Sequence, residues 1–329
     1  MSLVVENLTK KYGEKTVVDS LSFSVDGPGV YALLGTNGAG KTTSIRMMLN
    51  MLAKDGGTVT WNGKPLSSDT CHIGYLAEER GLYPKVPLLD QLVYFAELRG
   101  VSAAEAKRRI RVWSGKLELD EYLYPRKPVR RSNFSRSSGS LGGVTPPDYR
   151  TLPSLKADQL SKGNQQKCQL LTALIADPEL IVLDEPLSGL DPVNTDLFKG
   201  IIREEIEAGK TLIMSSHQMA TVEEFCTDLT ILNRSKTVLQ GNLNEIKKGY
   251  GRVNLSLKTE QDISPFIRES GAVLLREKEF EYDMKVTGEE QANRLLQSLI
   301  GAGVPIITFS LREPSLHEIF VEKVGDADE

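Results

Sequence analysis

From residue 30 the chain runs through an unbroken apolar stretch, Val30-Tyr31-Ala32-Leu33-Leu34, into the loop Gly35-Thr36-Asn37-Gly38-Ala39-Gly40-Lys41-Thr42, and then into Ile45, Met48, Leu49 and Leu52 at helical spacing. A short, wholly apolar run fits a strand buried on both faces. The loop matches G-x-x-x-x-G-K-[ST] between strand and helix, the setting that marks a phosphate loop. Glycine removes the Cβ atoms that would block backbone N–H groups from converging on a phosphate, and the helix that follows adds the positive end of its dipole. On this reading Asn37, Gly38, Ala39, Gly40 and Thr43 belong to the cradle. Lys41 bridges the β- and γ-phosphates, and the Thr42 hydroxyl ligates Mg²⁺.

A phosphate loop still needs acids, and Leu180-Ile-Val-Leu-Asp184-Glu185 supplies two at the end of a second apolar strand. Asp184 is placed to hold magnesium and Glu185 to polarise an attacking water as general base. A third buried strand, Thr211-Leu-Ile-Met-Ser-Ser216, is preceded by a helical stretch from about Phe198 to Ala208 and followed by His217. Strands alternating with helices predict a mostly parallel sheet covered on both faces. Ahead of it, Leu3-Val4-Val5 and Leu21-Ser22-Phe23-Ser24-Val25 alternate as half-buried antiparallel strands.

From Leu88 to about Leu119 the pattern is helical, with Leu92, Phe95 and Leu98 on one stripe and Lys107, Arg108, Arg109 and Arg111 on another. Residues 125–156 break it with five prolines, many serines, and Gly139, Gly142 and Gly143. This segment reads as a flexible loop carrying seven basic residues (Arg126, Lys127, Arg130, Arg131, Arg136, Arg150 and Lys156) against Asp148 alone. The alternatives are a solvated insertion and a patch that touches anionic lipid or an acidic partner. After about Asn242, strand at Val253–Leu257, helix at 263–269, hairpin at 272–286, helix at 289–299 and strand at 306–311 give a split βαβ order, closed by a helix at 316–324.

With 329 residues the chain exceeds the roughly 250–300 at which a single core stops growing, so one large and one small domain are expected. A net charge of -4 offers no general attraction to nucleic acid, and none is expected as partner. No apolar run approaches the ~18 residues of a membrane span, and the start lacks the blocks of a signal peptide, so a cytosolic chain is expected. Cys71, Cys168 and Cys226 are too far apart for a metal or disulfide motif and read as small buried thiols.

Taken together, the phosphate loop, Asp184-Glu185, Leu160-Ser161-Lys162-Gly163-Asn164-Gln165-Gln166 before the acids, Ser188-Gly189-Leu190-Asp191 after them, and the later His217 resemble the ABC transporter ATPases over residues 2 to 240. The resemblance implies an α/β P-loop cassette with a mixed sheet core, an antiparallel β subdomain and a helical subdomain at about 82–178, spanning 1–241. A small α+β ferredoxin-like accessory domain, like that of exporter ATPases paired with ABC-2-type membrane subunits, would follow at 242–329. It also implies ATP and Mg²⁺ as ligands, hydrolysis coupled to transport, a separate integral-membrane subunit, and a site on the cytoplasmic face of the membrane. The second nucleotide-binding subunit is expected to be another copy of this chain.

By the same resemblance, Ser161 and Gly163 of one protomer cap the γ-phosphate held by its partner, Tyr12 stacks on adenine, Asp191 links the two sites, and His217 contacts the γ-phosphate and the attacking water. The family pattern is altered at Lys162 and Asn164. Where it has a glutamine after the strand ending at Ala77, this chain has Glu78, a carboxylate able to approach the metal. Two rivals are a soluble ABC ATPase working on nucleic acid or ribosomes, which usually has paired cassettes absent here, and a non-hydrolysing regulatory cassette, against which Glu185 argues.

Overall fold

The computed structural model describes residues 1–79, 81–128 and 149–325. Its centre is a six-stranded sheet in the order Lys236–Asn242, Cys226–Asn233, Gly29–Gly35, Thr211–Ser216, Leu180–Asp184 and Ile73–Leu76. All pairings are parallel except that of the first edge strand with its neighbour. The apolar runs form the middle strands, and every residue of Gly29–Gly35, Leu180–Asp184 and Thr211–Ser216 is buried. In register, Ser215 lies opposite Asp184 and Ser216 opposite Leu34. Three chain reversals therefore leave the sheet side by side: the phosphate loop, the Asp-Glu pair and His217.

The two faces bury different partners. Tyr31, Leu33, Val182 and Ile213 pack with Ile45 and Met47, and with Leu3, Val5, Leu8, Phe23 and Trp61 of a four-stranded antiparallel sheet. That sheet alternates as the sequence predicts, and Leu3, Val5 and Leu8 point inward. On the opposite face, Val30, Ala32, Leu34 and Leu183 meet Leu92, Ile110, Leu171 and Phe198 from helices. The first helix is shorter than its spacing predicts, ending at Met48 because Asn50 turns into the left-handed region at φ 55°.

The helical segment splits into Leu88–Glu97, Ala103–Lys116 and Asp120–Leu123, with Ser102 capping the second by accepting from Glu105 N–H. The expected stripe is only partly a core stripe. Leu92 is fully buried, Phe95 is half-buried and Leu98 is 65% exposed, because the chain leaves the helix at Leu98. The four basic residues do not form one solvated stripe either: Arg108 and Arg109 share Glu105, and Arg111 lies 3.7 Å from Asp120.

The segment 125–156 is not wholly a loop. Arg126–Pro128 pairs antiparallel with Tyr149–Thr151. Leu155 N–H donates to Tyr122 O, and its carbonyl accepts from Leu88 N–H, tying the return arm to the helices. Tertiary pairing here overrides a composition that favours turns. Residues 129–148, which carry Arg130, Arg131 and Arg136 of the basic patch, lie outside the described residues.

The expected split βαβ order is present. The sheet runs Val273–Lys278, Glu281–Lys285, Asn254–Thr259, Ile306–Arg312, with Leu255, Leu257, Tyr282 and Met284 packed against Ile267, Leu295 and Leu299. Two elements attach this unit to the larger core. A helix that the sequence reading missed, Leu243–Tyr250, is capped by Asn242 and buries Leu243 there. The final helix, Leu316–Gly325, buries Leu316 in the same core, with Leu316 N–H donating to Glu223. Arg312 grips Glu318 through two bonds of 2.8 and 3.0 Å, which holds the Glu318 carboxyl down at about 2.

Candidate nucleotide site

Gly40 opens the helix Lys41–Met48 in a left-handed conformation, φ 107°, and a Cβ there would stand 2.5 Å from Val17 O. The loop's tight curl against the neighbouring strand therefore requires glycine at this point. Asn37 and Gly38 are exposed, Ala39 is buried, and Thr43 sits in the first helical turn. Lys41 turns back under the loop. Its ammonium donates to Gly35 O at 2.8 Å and Thr36 O at 3.3 Å, and lies 3.4 Å from Glu185 Oε1.

Asp184 is completely buried. Its Oδ1 accepts from Thr42 Oγ1 at 3.2 Å and from Ser215 Oγ at 2.5 Å, while Oδ2 has no partner among the described residues. Burial raises its pKa above the ordinary carboxylate value, the neighbouring Glu78 and Glu185 carboxylates push the same way, and the two hydroxyls pull it down. An orphaned, buried carboxylate oxygen beside a threonine hydroxyl suits a hard divalent cation. Magnesium keeps waters and phosphate oxygens in its shell and needs few protein ligands. Among the described residues no group of three or more histidine, cysteine, aspartate or glutamate side chains could hold an ion alone, so the donor set fits a metal that arrives with a polyphosphate.

Glu185 sits at φ 50°, a strained position for a side-chain-bearing residue. Its N–H is held by Ser215 Oγ at 3.0 Å and Ser215 O at 3.2 Å. This sharp turn sends the side chain toward the loop, where it stands between Lys41 and His217, with Oε2 2.9 Å from His217 Nδ1. The carboxylate is buried and the histidine is 46% exposed, so the pair has one dry and one wet side. Such an arrangement can orient a water and take its proton.

Ser215 was not anticipated. Its signal was legible as two serines, Ser215-Ser216, closing a strand otherwise buried and apolar, one strand away from the acids.

Of the other candidate residues, Glu78 lies near enough to Asp184 to act on its carboxyl, and the rest make none of the cluster's bonds given above. Tyr12 ends the first strand with its ring 56% exposed and the Lys10 ammonium 5.2 Å from the centroid. Glu78 is exposed, just past the strand Ile73–Leu76. Ser161 caps the helix Lys162–Leu174 by accepting from Asn164 N–H at 3.2 Å. Asp191 caps Pro192–Glu207 and holds the Asn194 backbone and side chain, with the Asn194 N–H the main cause of a lowered carboxyl pKa. Gly163 lies against Asn194, since a Cβ there would meet Asn194 Nδ2 at 3.1 Å. The first turns of two helices opened by separate sequence motifs thus touch. His317 is exposed, and the three cysteines are buried as expected, each thiol pushed up to about 12 by desolvation.

A glycine cradle and an Asp-Glu pair at the carboxyl ends of parallel strands in one sheet define a P-loop nucleotide-binding cassette. The ABC transporter family profile matches residues 18–188, and the profile of the C-terminal domain of DrrA1-3-like ATP-binding proteins matches 241–324. The chain is 37% identical to the ABC transporter ATP-binding protein YhaQ of Bacillus subtilis (strain 168), over 98% of both chains. It is 26% identical to the linearmycin resistance ATP-binding protein LnrL of the same organism, over 98% of both, and 32% identical to the Nod factor export ATP-binding protein I of Ralstonia nicotianae, over 74% of this chain and 68% of that one. A solved ATP-binding subunit of an ABC transporter superposes with a TM-score of 0.61 at 27% identity, covering 76% of this chain and 93% of its own. The chain belongs to the ABC transporter ATP-binding proteins. It is an ATP-binding subunit that hydrolyses ATP to power transport, a role that implies a transmembrane partner. Among the described residues no helix is long and apolar enough to cross a membrane.

Proposed function

We propose that two copies of this chain close on two Mg-ATP at the cytoplasmic face of a membrane and drive export through a separate membrane subunit. The reading rests on one observation above all: Lys41, Thr42, Asp184, Glu185 and His217 converge at one sheet edge, and Asp184 Oδ2 lacks a partner there. Triphosphate oxygens would compete with Gly35 O, Thr36 O and Glu185 for the Lys41 ammonium. Drawing Lys41 off leaves Glu185 free to take a proton from water, while the bond to His217 orients the carboxylate.

Thr42, Asp184 and Glu78 would hold the magnesium, which when bound neutralises charge on the β- and γ-phosphates. Tyr12, with its exposed ring, would stack on adenine. Ser161 and Gly163 would seal the γ-phosphate of the partner protomer, and Asp191, joined to Gly163 through Asn194, would pass closure between the sites. Export accords with the relatives named for resistance and for Nod factor export. The accessory unit at 242–329 would support the cassette, since its last helix is anchored in the cassette core.

The membrane subunit would dock in a groove of about 560 Å³ between the phosphate-loop half and the helical half, lined by Met51, Leu66, Tyr75, Leu98 and Arg99. Met51 and Leu98 present large apolar surface there, exposed by 62% and 65%. The test is ATP turnover by Glu185→Gln. Turnover should fall by about 10²–10⁴ with Mg-ATP binding retained, whereas undiminished turnover would remove Glu185 as the base.

A further inference from the structure

The groove has a property that its lining alone does not reveal. It lies at the C-terminal ends of both helices whose N-termini bear the nucleotide motifs. Leu49, Asn50 and Met51 follow the helix opened by Lys41, and Ala176 follows the helix capped by Ser161. The end of the helix Leu88–Glu97, at Leu98 and Arg99, forms another wall, and the segment from Leu66 to Tyr75 lines the rest with Pro178.

Arg99 joins two of these walls. Its guanidinium donates at 2.5 Å to Thr172 O in the last turn of the Ser161-capped helix, where carbonyls have no partner within the helix. Arg109 does the same for Ile175 O at 2.9 Å, held in place by Glu105. The strand beside this turn is equally close: a Cβ on Gly74 would stand 2.4 Å from Ala173 O. A helix moves as a rod over the 13 residues from Lys162 to Leu174, so whatever displaces its last turn also displaces Ser161 and Gly163 at its start.

We propose that Arg99 is a positioning residue that couples the width of the groove to the placement of Ser161 and Gly163, so that occupancy of the groove and closure over the partner's nucleotide bias each other. The inference rests on the proposed nucleotide sandwich. It adds the specific element through which the two sites are linked, and the linkage is reciprocal.

Spin labels on Met51→Cys, in the groove, and Tyr94→Cys, exposed on the helix whose end forms another of its walls, read the separation of those walls by pulsed EPR in the full chain carrying Glu185→Gln. The three native thiols are buried, and labels go to the two exposed sites. Addition of Mg-ATP should shift the distance. Arg99→Met should abolish the shift, Arg99→Lys, which keeps a donor, should restore it, and Mg-ATP affinity should stay within about twofold in all three. A shift that survives Arg99→Met overturns the inference, as does a parallel loss of nucleotide affinity, which would mark a merely structural arginine. A parent that binds Mg-ATP without any shift also overturns it, whereas a parent that fails to bind Mg-ATP instead contradicts the proposed function.

Discussion

Ser215→Ala removes one hydroxyl and should reveal how Asp184 is held. The native Ser215 Oγ donates to Asp184 Oδ1 and accepts from Glu185 N–H, which keeps a second acceptor in Ser215 O. The loss therefore falls on the carboxylate, left with Thr42 as its donor among the described residues. A hydrogen bond to a buried charge contributes about 1.5–3 kcal/mol and one to a neutral group about 0.5–1.5 kcal/mol. For a cassette of this size each kcal/mol is roughly 2–4 °C of melting temperature, so the drop at pH 7 in EDTA is about 3–12 °C.

The sign with pH follows from the raised pKa of Asp184. A carboxyl that holds its proton more tightly when folded favours the native state at low pH, and that advantage is lost as pH rises from the unfolded value of about 4 to the higher folded value. As pH falls toward the unfolded value, the raised pKa brings the proton onto native Asp184 first, the missing bond becomes a neutral one, and the deficit should shrink. Differential scanning calorimetry of both proteins at pH 7 and pH 4 reads the comparison. An equal deficit at both pH values, or none at pH 7, would refute the claim that Ser215 serves a buried charge.

Gly74→Ala places a methyl group 2.4 Å from Ala173 O and 2.8 Å from Pro178 Cγ and should destabilise by about 1–3 kcal/mol, read by thermal unfolding. Leu316→Ala empties a fully buried site where the last helix meets the cassette. It should cost about 2–5 kcal/mol and expose that helix to limited proteolysis before the cassette is cut. The thiols of Cys71, Cys168 and Cys226, pushed up to about 12, should ignore a thiol reagent at pH 8 and react only on unfolding, followed by absorbance.

Much of this was legible because the relevant signals are local. The glycine loop, the apolar strands and the Asp184-Glu185 pair are contiguous in sequence, and buried parallel strands read as unbroken apolar runs. What escaped depends on contacts between distant segments. Ser215 matters because register puts it opposite Asp184, 31 residues away. Nothing local to Arg99 marks its carbonyl partner, Thr172, 73 residues on. Leu98 fell on a helical stripe yet faces a groove, since periodicity shows a face without showing whether anything covers it. The helix Leu243–Tyr250 was hidden by its short length and its polar outer side, and only the Asn242 cap and Leu243 mark it. The arms of the 125–156 segment read as loop because a three-residue pairing leaves almost no periodic trace.

The central claim is that one protomer's phosphate cradle is closed by Ser161 and Gly163 of another. Sedimentation velocity of the Glu185→Gln chain tests it directly. With Mg-ATP the chain should sediment as a dimer, return to monomer when Ser161→Ala and Gly163→Val are added, and keep its monomeric nucleotide affinity. A Glu185→Gln chain that binds Mg-ATP and stays monomeric even beside its membrane subunit, or a dimer indifferent to those two substitutions, would contradict the account.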